Sequence, residues 1–136
     1  MKKFLTEEWA AEFESRLRST FSKENTPIKL SLTFTECFEN AHHLESGEFW
    51  HAYKFVDGVL IDVQHGGSIA TAPQSDYVSS ASYDFAASLM KGEASIPKAL
   101  MNKEIKFKGN ILKAVKMVDA YSIIQKLKAL DGETEW

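Results

Sequence analysis

Four histidines and their acidic neighbours are the side chains with the most obvious capacity for chemistry. The candidate metal ligands are Glu39, His42, His43, Glu45, His51 and His65. Adjacent side chains on an extended backbone point to opposite faces, so His42 and His43 could not share an ion there. None of the spacings matches a recognised site such as His-Glu-x-x-His or paired Cys-x-x-Cys. The sequence therefore predicts no metal site, and no cofactor is expected.

Recognised catalytic motifs are also missing from the sequence. It contains no Gly-x-Ser-x-Gly, Walker loop or dinucleotide-binding fingerprint, and Cys37 has no motif around it. His51 and Asp84 are the candidate acid or base. However, His51 falls on the aromatic face of its predicted strand, where a hydrogen-bonded core histidine is the more frequent role. We therefore expect that the protein is not an enzyme.

Glu36 is the one acid that interrupts an apolar strand face. It lies in phase with Phe34 and Phe38, where it could line the mouth of a cavity or select the polar head of a ligand. Acids are rarely buried without a partner. The interpretation that we favour places Glu36 beyond the edge of the core.

Changes of hydrophobic period define the elements of the first half. Thr6 can cap a helix in which Trp9, Phe13, Leu17 and Phe21 recur every four residues as one apolar stripe. After Asn25-Thr26-Pro27 the period changes to two, which predicts a strand over 28–38. Asp57-Gly58 then joins the strands 49–56 and 59–65, because this dipeptide is typical of a tight hairpin turn.

The second half alternates short strands and helices. The predicted elements are a strand over 77–81, a helix capped by Ser82 and ending at Gly92, a helix from Ser95 with Pro97 in its first turn, a strand over 103–108, and a final helix capped by Asn110 that runs toward Leu130. This order predicts an α+β fold with a mainly antiparallel five-stranded sheet covered by helices.

Composition limits the kind of protein. The chain has 136 residues, 44% of them hydrophobic, and a net charge of −3, which indicates one domain over 1–136 with a flexible tail after about residue 131. It shows no secretory signal, no stretch that could span a bilayer and no Ser-Lys-Leu ending, and its single cysteine suits a reducing compartment. We expect a cytoplasmic protein. A nucleic-acid partner is not expected, since no basic stripe is interleaved with aromatic residues.

The motifs of the second half resemble those of the sterol carrier protein family. The matching pattern is the alternating strand 76–81, Ser82-Tyr83-Asp84, Lys91-Gly92-Glu93 and the run Ile105-Lys106-Phe107-Lys108-Gly109-Asn110 before an apolar helix. The resemblance implies an apolar cavity for a sterol, a fatty acid or an acyl-CoA. We expect several large apolar residues to line it: Phe55, Leu89, Met101, Phe107, Leu112, Met117, Ile124 and Leu127.

The resemblance implies a non-enzymatic lipid-binding or lipid-transfer protein. The alternative is an accessory protein that presents a lipid, or only a docking surface, to a lipid-metabolising enzyme.

A local excess of lysine suggests a membrane partner. Residues 91–116 contain seven lysines against two glutamates, a local charge of +5 within a chain of net −3. Transient contact with anionic lipid through Lys103, Lys106, Lys108 and Lys113 would gain on the order of 1 kcal/mol per lysine. The alternative is a solvated strand edge and helix face.

The final helix does not fit one straight amphipathic rod. At roughly 100° per residue, its apolar stripe changes sides near 119–121. Either the helix breaks there or its halves meet different bodies. We expect the first half to pack on the sheet and the second to close the cavity as a movable cover.

Overall fold

The fold is described by a computed structural model that covers residues 1–25 and 27–136. In chain order the elements are β1 (Lys2–Lys3), α1 (Glu7–Thr20), β2 (Leu32–Glu39), β3 (Phe49–Val56), β4 (Val59–Gly66), a 3-10 turn (Ile69–Thr71), β5 (Tyr77–Ser82), α2 (Tyr83–Met90), α3 (Ile96–Met101), β6 (Lys106–Gly109), α4 (Ile111–Lys116), α5 (Val118–Lys128), a second 3-10 turn (Leu130–Gly132) and β7 (Thr134–Glu135). Thr26, which belongs to the predicted linker, lies outside the described residues.

The main sheet has the strand order β4-β3-β2-β5-β6. Its neighbouring strands are antiparallel except for β2 and β5, which are parallel. The predicted α+β fold with a mainly antiparallel five-stranded sheet is therefore confirmed. Strand β6 begins three residues later than predicted, because Lys103 adopts a positive φ of 59° and the Glu104 amide still donates a hydrogen bond to the carbonyl of Ala99 in α3.

The hairpin between β3 and β4 turns where the sequence predicted. Asp57 and Gly58 have φ values of 50° and 82°. Positive φ at both central residues is the signature of a type I′ turn, which matches the twist of the flanking strands. The Gly58 amide also donates to the Leu30 carbonyl at 2.7 Å and ties the turn to the segment before β2.

The apolar stripe of α1 is buried against the sheet. Trp9, Phe13, Leu17 and Phe21 are all inaccessible to solvent, as the four-residue period predicts. The ring of Phe21 meets that of Phe55 edge-on at 5.1 Å. Thr6 caps the helix by accepting from the Trp9 amide. The other face of the sheet carries a smaller cluster of Cys37, Trp50 and Ala52, packed against the segment 69–72.

The predicted break in the final helix exists but lies earlier. The chain leaves α4 at Lys116 and enters α5 at Val118, so the break is at the buried residue Met117. Helix α4 contacts strand β5 of the main sheet, as expected for the first half, and its Ala114 packs against the core. Helix α5 packs on α1 with Ala120 and Ile124 fully buried. Its role as a movable cover stays a prediction.

The C-terminal residues are held rather than free, which corrects the expected flexible tail. Strand β7 pairs in parallel with β1, and the Lys2 amide donates to the Glu133 carbonyl at 2.7 Å. Thr134 is buried and donates to the Lys128 carbonyl at 2.6 Å. The ring of Trp136 packs on that of Phe4 at 5.0 Å. We call this pairing of β7 with β1 the clasp. Its two strands lie 132 residues apart in the sequence, at Lys2 and Thr134, so local sequence patterns do not predict it.

Deletion of residues 134–136 tests the clasp. We expect a loss of about 2–4 kcal/mol in the free energy of unfolding, because the deletion removes packing on Phe4 and leaves the pairing groups of β1 without partners. Urea denaturation followed by far-UV circular dichroism measures the change. Glu135→Ala, an exposed change within β7, is the matched control. An unchanged urea midpoint for the truncated chain would show that the clasp contributes nothing.

Candidate functional site

An open groove lies between the β5–β6 end of the sheet and the helices of the second half. Its volume is about 640 Å³. The apolar side chains that line it come from β5, α2, α3, β6, α4 and α5 and the residues that connect them: Tyr77, Leu89, Met90, Ile96, Leu100, Ile105, Phe107, Ala114, Met117 and Val118. Polar lining is confined to Ser79, Tyr121, Ser122, Gln125 and Lys126. The groove is therefore apolar along most of its walls, and its polar side chains come from α5 and, in the case of Ser79, from β5.

The structure divides the eight side chains that we expected to line a cavity. Leu89, Phe107 and Met117 line the groove. Phe55 and Ile124 are fully buried in the main core, and Leu127 packs against that core. Met101 and Leu112 point to solvent, with 83% and 72% of their surface exposed. A lipid-binding role for any of the eight remains a prediction.

Several groove residues were missed by sequence reasoning. Tyr77, Ile105 and Tyr121 line it. Hydrophobic periodicity predicts only that such residues face inward, and it does not distinguish a residue of the packed core from one in a groove wall. The alternation of Ile105 and Phe107 with lysines was the one signal that placed both on the same inner face.

A buried ion pair lies behind the groove. Glu36 is 3% exposed, and its carboxylate accepts from the Lys128 ammonium at 2.6 Å. The same carboxylate accepts from the hydroxyls of Tyr53 at 2.6 Å and Tyr121 at 3.2 Å. Our interpretation that Glu36 lies beyond the core was therefore wrong. A lysine 92 positions away supplies the partner that makes burial possible, and a single strand pattern does not contain that information.

The ion pair adjoins the groove through shared lining residues. Glu36 and Lys128 line a small chamber of about 30 Å³. Ser79, Leu89, Tyr121 and Gln125 line both this chamber and the groove. Tyr121 thus contacts the groove on one side and hydrogen-bonds to Glu36 on the other.

The charges of this cluster are fixed by its surroundings. Burial alone would raise the pKa of Glu36, but the Lys128 ammonium and the hydrogen bonds outweigh it, and the net shift is downward. Burial and the nearby Glu36 charge raise the pKa values of Tyr53 and Tyr121 well above their usual range. Both phenols therefore stay protonated and act as donors.

Lys128→Met tests the ion pair. We expect a loss of about 3–5 kcal/mol in unfolding free energy, since the Glu36 carboxylate would remain buried without its cation. The double variant Glu36→Gln, Lys128→Met should recover much of this loss, because no uncompensated charge remains. Chemical denaturation near neutral pH compares the two. Equal stability of the single and double variants would contradict an energetic role for charge pairing.

Two histidines converge on one carboxylate beneath α1. The Glu14 carboxylate accepts from His51 Nε2 and from His65 Nδ1, each at 2.7 Å, and His65 Nε2 donates to Glu7 at 2.7 Å. His51 is fully buried and its ring lies 5.4 Å from that of Phe13. The sequence prediction that His51 is a hydrogen-bonded core residue is confirmed, with Glu14 as its partner.

This cluster also has the composition of a three-ligand metal site. The candidate ligand atoms of Glu14, His51 and His65 lie within 4.8 Å of one another, whereas His42 and His43 take no part. Both imidazoles nevertheless bond to the same carboxylate oxygen, and His51 Nδ1 has no partner. A metal-ligating histidine normally donates its other ring nitrogen to a supporting acceptor. The geometry therefore fits a hydrogen-bonded link between α1 and the sheet better than a metal centre.

His65→Gln tests this link through its pH dependence. Burial lowers the pKa of His65, but its hydrogen bonds and charge pairing with Glu7 and Glu14 raise it overall above the usual 6.5. A raised pKa means that the stabilisation is complete below 6.5 and is lost as the pH rises through the folded-state value. We expect the variant to lose about 1–2 kcal/mol at about pH 5.5 and less at about pH 9.

Urea denaturation at both pH values measures this difference. His42→Gln, on an exposed loop, controls for the loss of a histidine. A loss for His65→Gln that is the same at both pH values would contradict a protonated His65 in the link.

The strand order, the helices on the sheet and the groove beside β6 together define the fold of sterol carrier protein 2, which the sequence resemblance predicted. A crystal structure of sterol carrier protein 2 superimposes with a TM-score of 0.69 at 14% identity, covering 90% of this chain and 95% of that chain. The palmitated form of sterol carrier protein 2-like 2 from Aedes aegypti gives a TM-score of 0.54 at 14% identity, covering 80% of this chain and 90% of that chain.

A third similar structure belongs to a larger enzyme. A double mutant of a sec-alkyl sulfatase matches with a TM-score of 0.58 at 17% identity over 85% of this chain, but over only 16% of the sulfatase chain. By sequence, no protein-family profile and no curated protein matches this chain. Within the described residues, each helix is too short or too polar to cross a membrane.

Proposed function

We propose that the protein binds a lipid in the groove and carries it, without catalysing a reaction. The groove itself is the observation that supports this function. Its volume of about 640 Å³ lies within the roughly 300–1,000 Å³ that small-molecule sites occupy. Water gains few hydrogen bonds against such walls, so an apolar ligand that displaces it is favoured.

The lining favours a ligand with one long apolar part and a small polar head. Burial of a methylene group contributes about 0.8 kcal/mol, so about ten buried methylenes supply roughly 8 kcal/mol before the cost of association. The polar side of α5, with Tyr121, Ser122 and Gln125, is positioned to orient the head. The palmitated state of the similar Aedes aegypti protein supports a fatty acid as the first ligand to test.

The ionisable groups of the groove favour holding a ligand over transforming it. Among the described lining residues these groups are Tyr77, Tyr121 and Lys126. Burial raises the pKa values of both tyrosines, with Glu36 adding to the shift. Phenols of this kind are poor acids and bases near neutral pH. Transfer of an intact lipid therefore fits the groove better than chemistry on it.

Ser122→Trp tests the groove by filling it. Ser122 is an exposed helical residue that lines the groove, so an indole there should obstruct the ligand while the fold is kept. Ser15→Trp, an exposed serine of α1 outside the groove, is the matched control. With delipidated protein, titration with a fluorescent fatty acid should show binding that is weakened roughly tenfold or more by Ser122→Trp and unchanged by Ser15→Trp.

The control measurements complete this test. Palmitate and cholesterol are compared as competitors of the fluorescent probe, and mass spectrometry of an organic extract identifies any lipid that co-purifies. Far-UV circular dichroism confirms that both variants fold. Equal probe affinities for the two tryptophan variants, or no binding by the wild type, would contradict the proposal.

A second candidate function is an accessory role beside a lipid-metabolising enzyme. The similarity to one part of a sec-alkyl sulfatase supports it, since there the fold is a small share of a much longer chain. In that case the groove would present its lipid to a partner. Co-purification of such an enzyme with the tagged protein from its native cell, retained by Ser15→Trp and lost with Ser122→Trp, would favour this role.

A further inference from the structure

Large apolar side chains on the helices that line the groove are exposed to solvent. Leu100 and Met101 of α3 are 50% and 83% exposed, and Leu112, Val115 and Val118 are 72%, 63% and 63% exposed. Leu100 and Val118 also line the groove, so α3 and the α4–α5 junction border the same opening. We call these five residues the rim. Exposed apolar side chains that cluster in this way mark interaction surfaces, whereas isolated ones do not.

Helix α4 carries apolar residues on two sides. Within α4, the exposed Leu112 and Val115 are spaced three residues apart, whereas Ala114 and the following Met117 line the groove. The sequence therefore provides an inner apolar face for the groove and a second apolar face outside it. The outer face adds no core packing, so its apolar character requires another explanation.

Positive charge accompanies the rim. Residues 96–118 contain six lysines against one glutamate, a local charge of +5 in a chain of net −3. Lys98, Lys103 and Lys116 are exposed on or directly after α3 and α4. Of the four lysines that the sequence suggested, Lys103 belongs to this set and the other three are placed differently. Lys106 and Lys108 alternate with Phe107 and so point away from the groove face of β6, and Lys113 pairs with Asp76 at 3.2 Å.

We propose that the rim docks on an anionic phospholipid bilayer. The five apolar side chains would enter the headgroup boundary, with Lys98, Lys103 and Lys116 beside lipid phosphates and carboxylates. Exposed apolar residues bordered by lysines match the combination that anionic bilayer surfaces attract. A second copy of the chain fits less well, because a face-to-face contact would bring two sets of lysines together. In the docked orientation the groove opens toward lipid, so a ligand can enter without crossing bulk water.

Vesicle sedimentation tests docking separately from ligand binding. Wild-type protein should bind vesicles of phosphatidylcholine with phosphatidylserine roughly tenfold or more tightly than vesicles of phosphatidylcholine alone, and added salt should weaken this binding. Leu112→Asp should abolish it, since it replaces a 72% exposed apolar side chain of the rim with an anion. Ile61→Asp, at a 52% exposed position on β4, is the matched control and should bind as the wild type does.

Two triple variants test the contribution of the rim lysines to vesicle binding. Lys98→Gln, Lys103→Gln, Lys116→Gln should weaken binding to the anionic vesicles roughly tenfold or more. Lys23→Gln, Lys29→Gln, Lys54→Gln removes the same charge from exposed positions elsewhere and should change binding far less. Equal binding to neutral and anionic vesicles, no effect of salt, or equal losses for the two triple variants would overturn the proposal.

Two further measurements distinguish membrane docking from self-association and from ligand binding. Light scattering after size exclusion reports the oligomeric state. A wild-type dimer that Leu112→Asp converts to a monomer, without vesicle binding, would make the rim a contact between copies and overturn docking. Titration of Leu112→Asp with the fluorescent fatty acid in the absence of vesicles should match the wild type, because Leu112 does not line the groove. Failure of docking thus leaves the ligand-binding proposal standing, and failure of ligand binding leaves docking testable.

Discussion

The buried ion pair between Glu36 and Lys128 is the constraint on which the arrangement around the groove depends. It joins the central strand β2 to the end of α5, and Tyr53 and Tyr121 complete the acceptor sites of the carboxylate. Ionised groups at this depth are tolerated only in a narrow geometry, since each loses its hydration. The pair therefore fixes where α5 crosses the sheet. Because Tyr121 belongs to both the ion-pair cluster and the groove lining, the same bonds also fix the position of one groove wall.

The molecule separates a packed half from a less packed half. Around α1, aromatic rings fill the interior, and Glu14 ties the helix to the two histidines of the sheet. Beyond β5 the packing is incomplete, because short helices and a four-residue strand enclose a groove instead of a core. Local opening costs least where few side chains are buried, so the side of the molecule around the groove is expected to open more readily than the side around α1.

The elements of this fold could largely be predicted, because caps, turns and periods are local. Thr6, Asp57-Gly58, Ser82, Ser95 and Asn110 all act where their types and spacings indicate. The errors concern residues whose environment is set by a distant part of the chain. Glu36 is buried because of Lys128, and the C-terminal residues are ordered because of β1. Of the eight side chains expected to line the cavity, three line the groove, three lie in or against the core, and Met101 and Leu112 are exposed. An apolar helical face predicts a contact, but the sequence does not distinguish a contact with the core from one with a ligand or another surface.

Strand β6 borders the groove and is also the edge of the main sheet. Among the described residues it pairs only with β5, so one row of its backbone amides and carbonyls has no neighbouring strand there. Edges of this kind invite a second chain to add a strand, and lysine is a common defence because charge disfavours such pairing. Lys106 and Lys108 occupy this edge, and Gly109 takes a φ of 120° that ends the strand after four residues. Charge and a short length, instead of burial, therefore protect this groove wall from edge-to-edge pairing. Because strand pairing holds the wall along one side, moving it outward costs less than moving a strand that is paired on both sides.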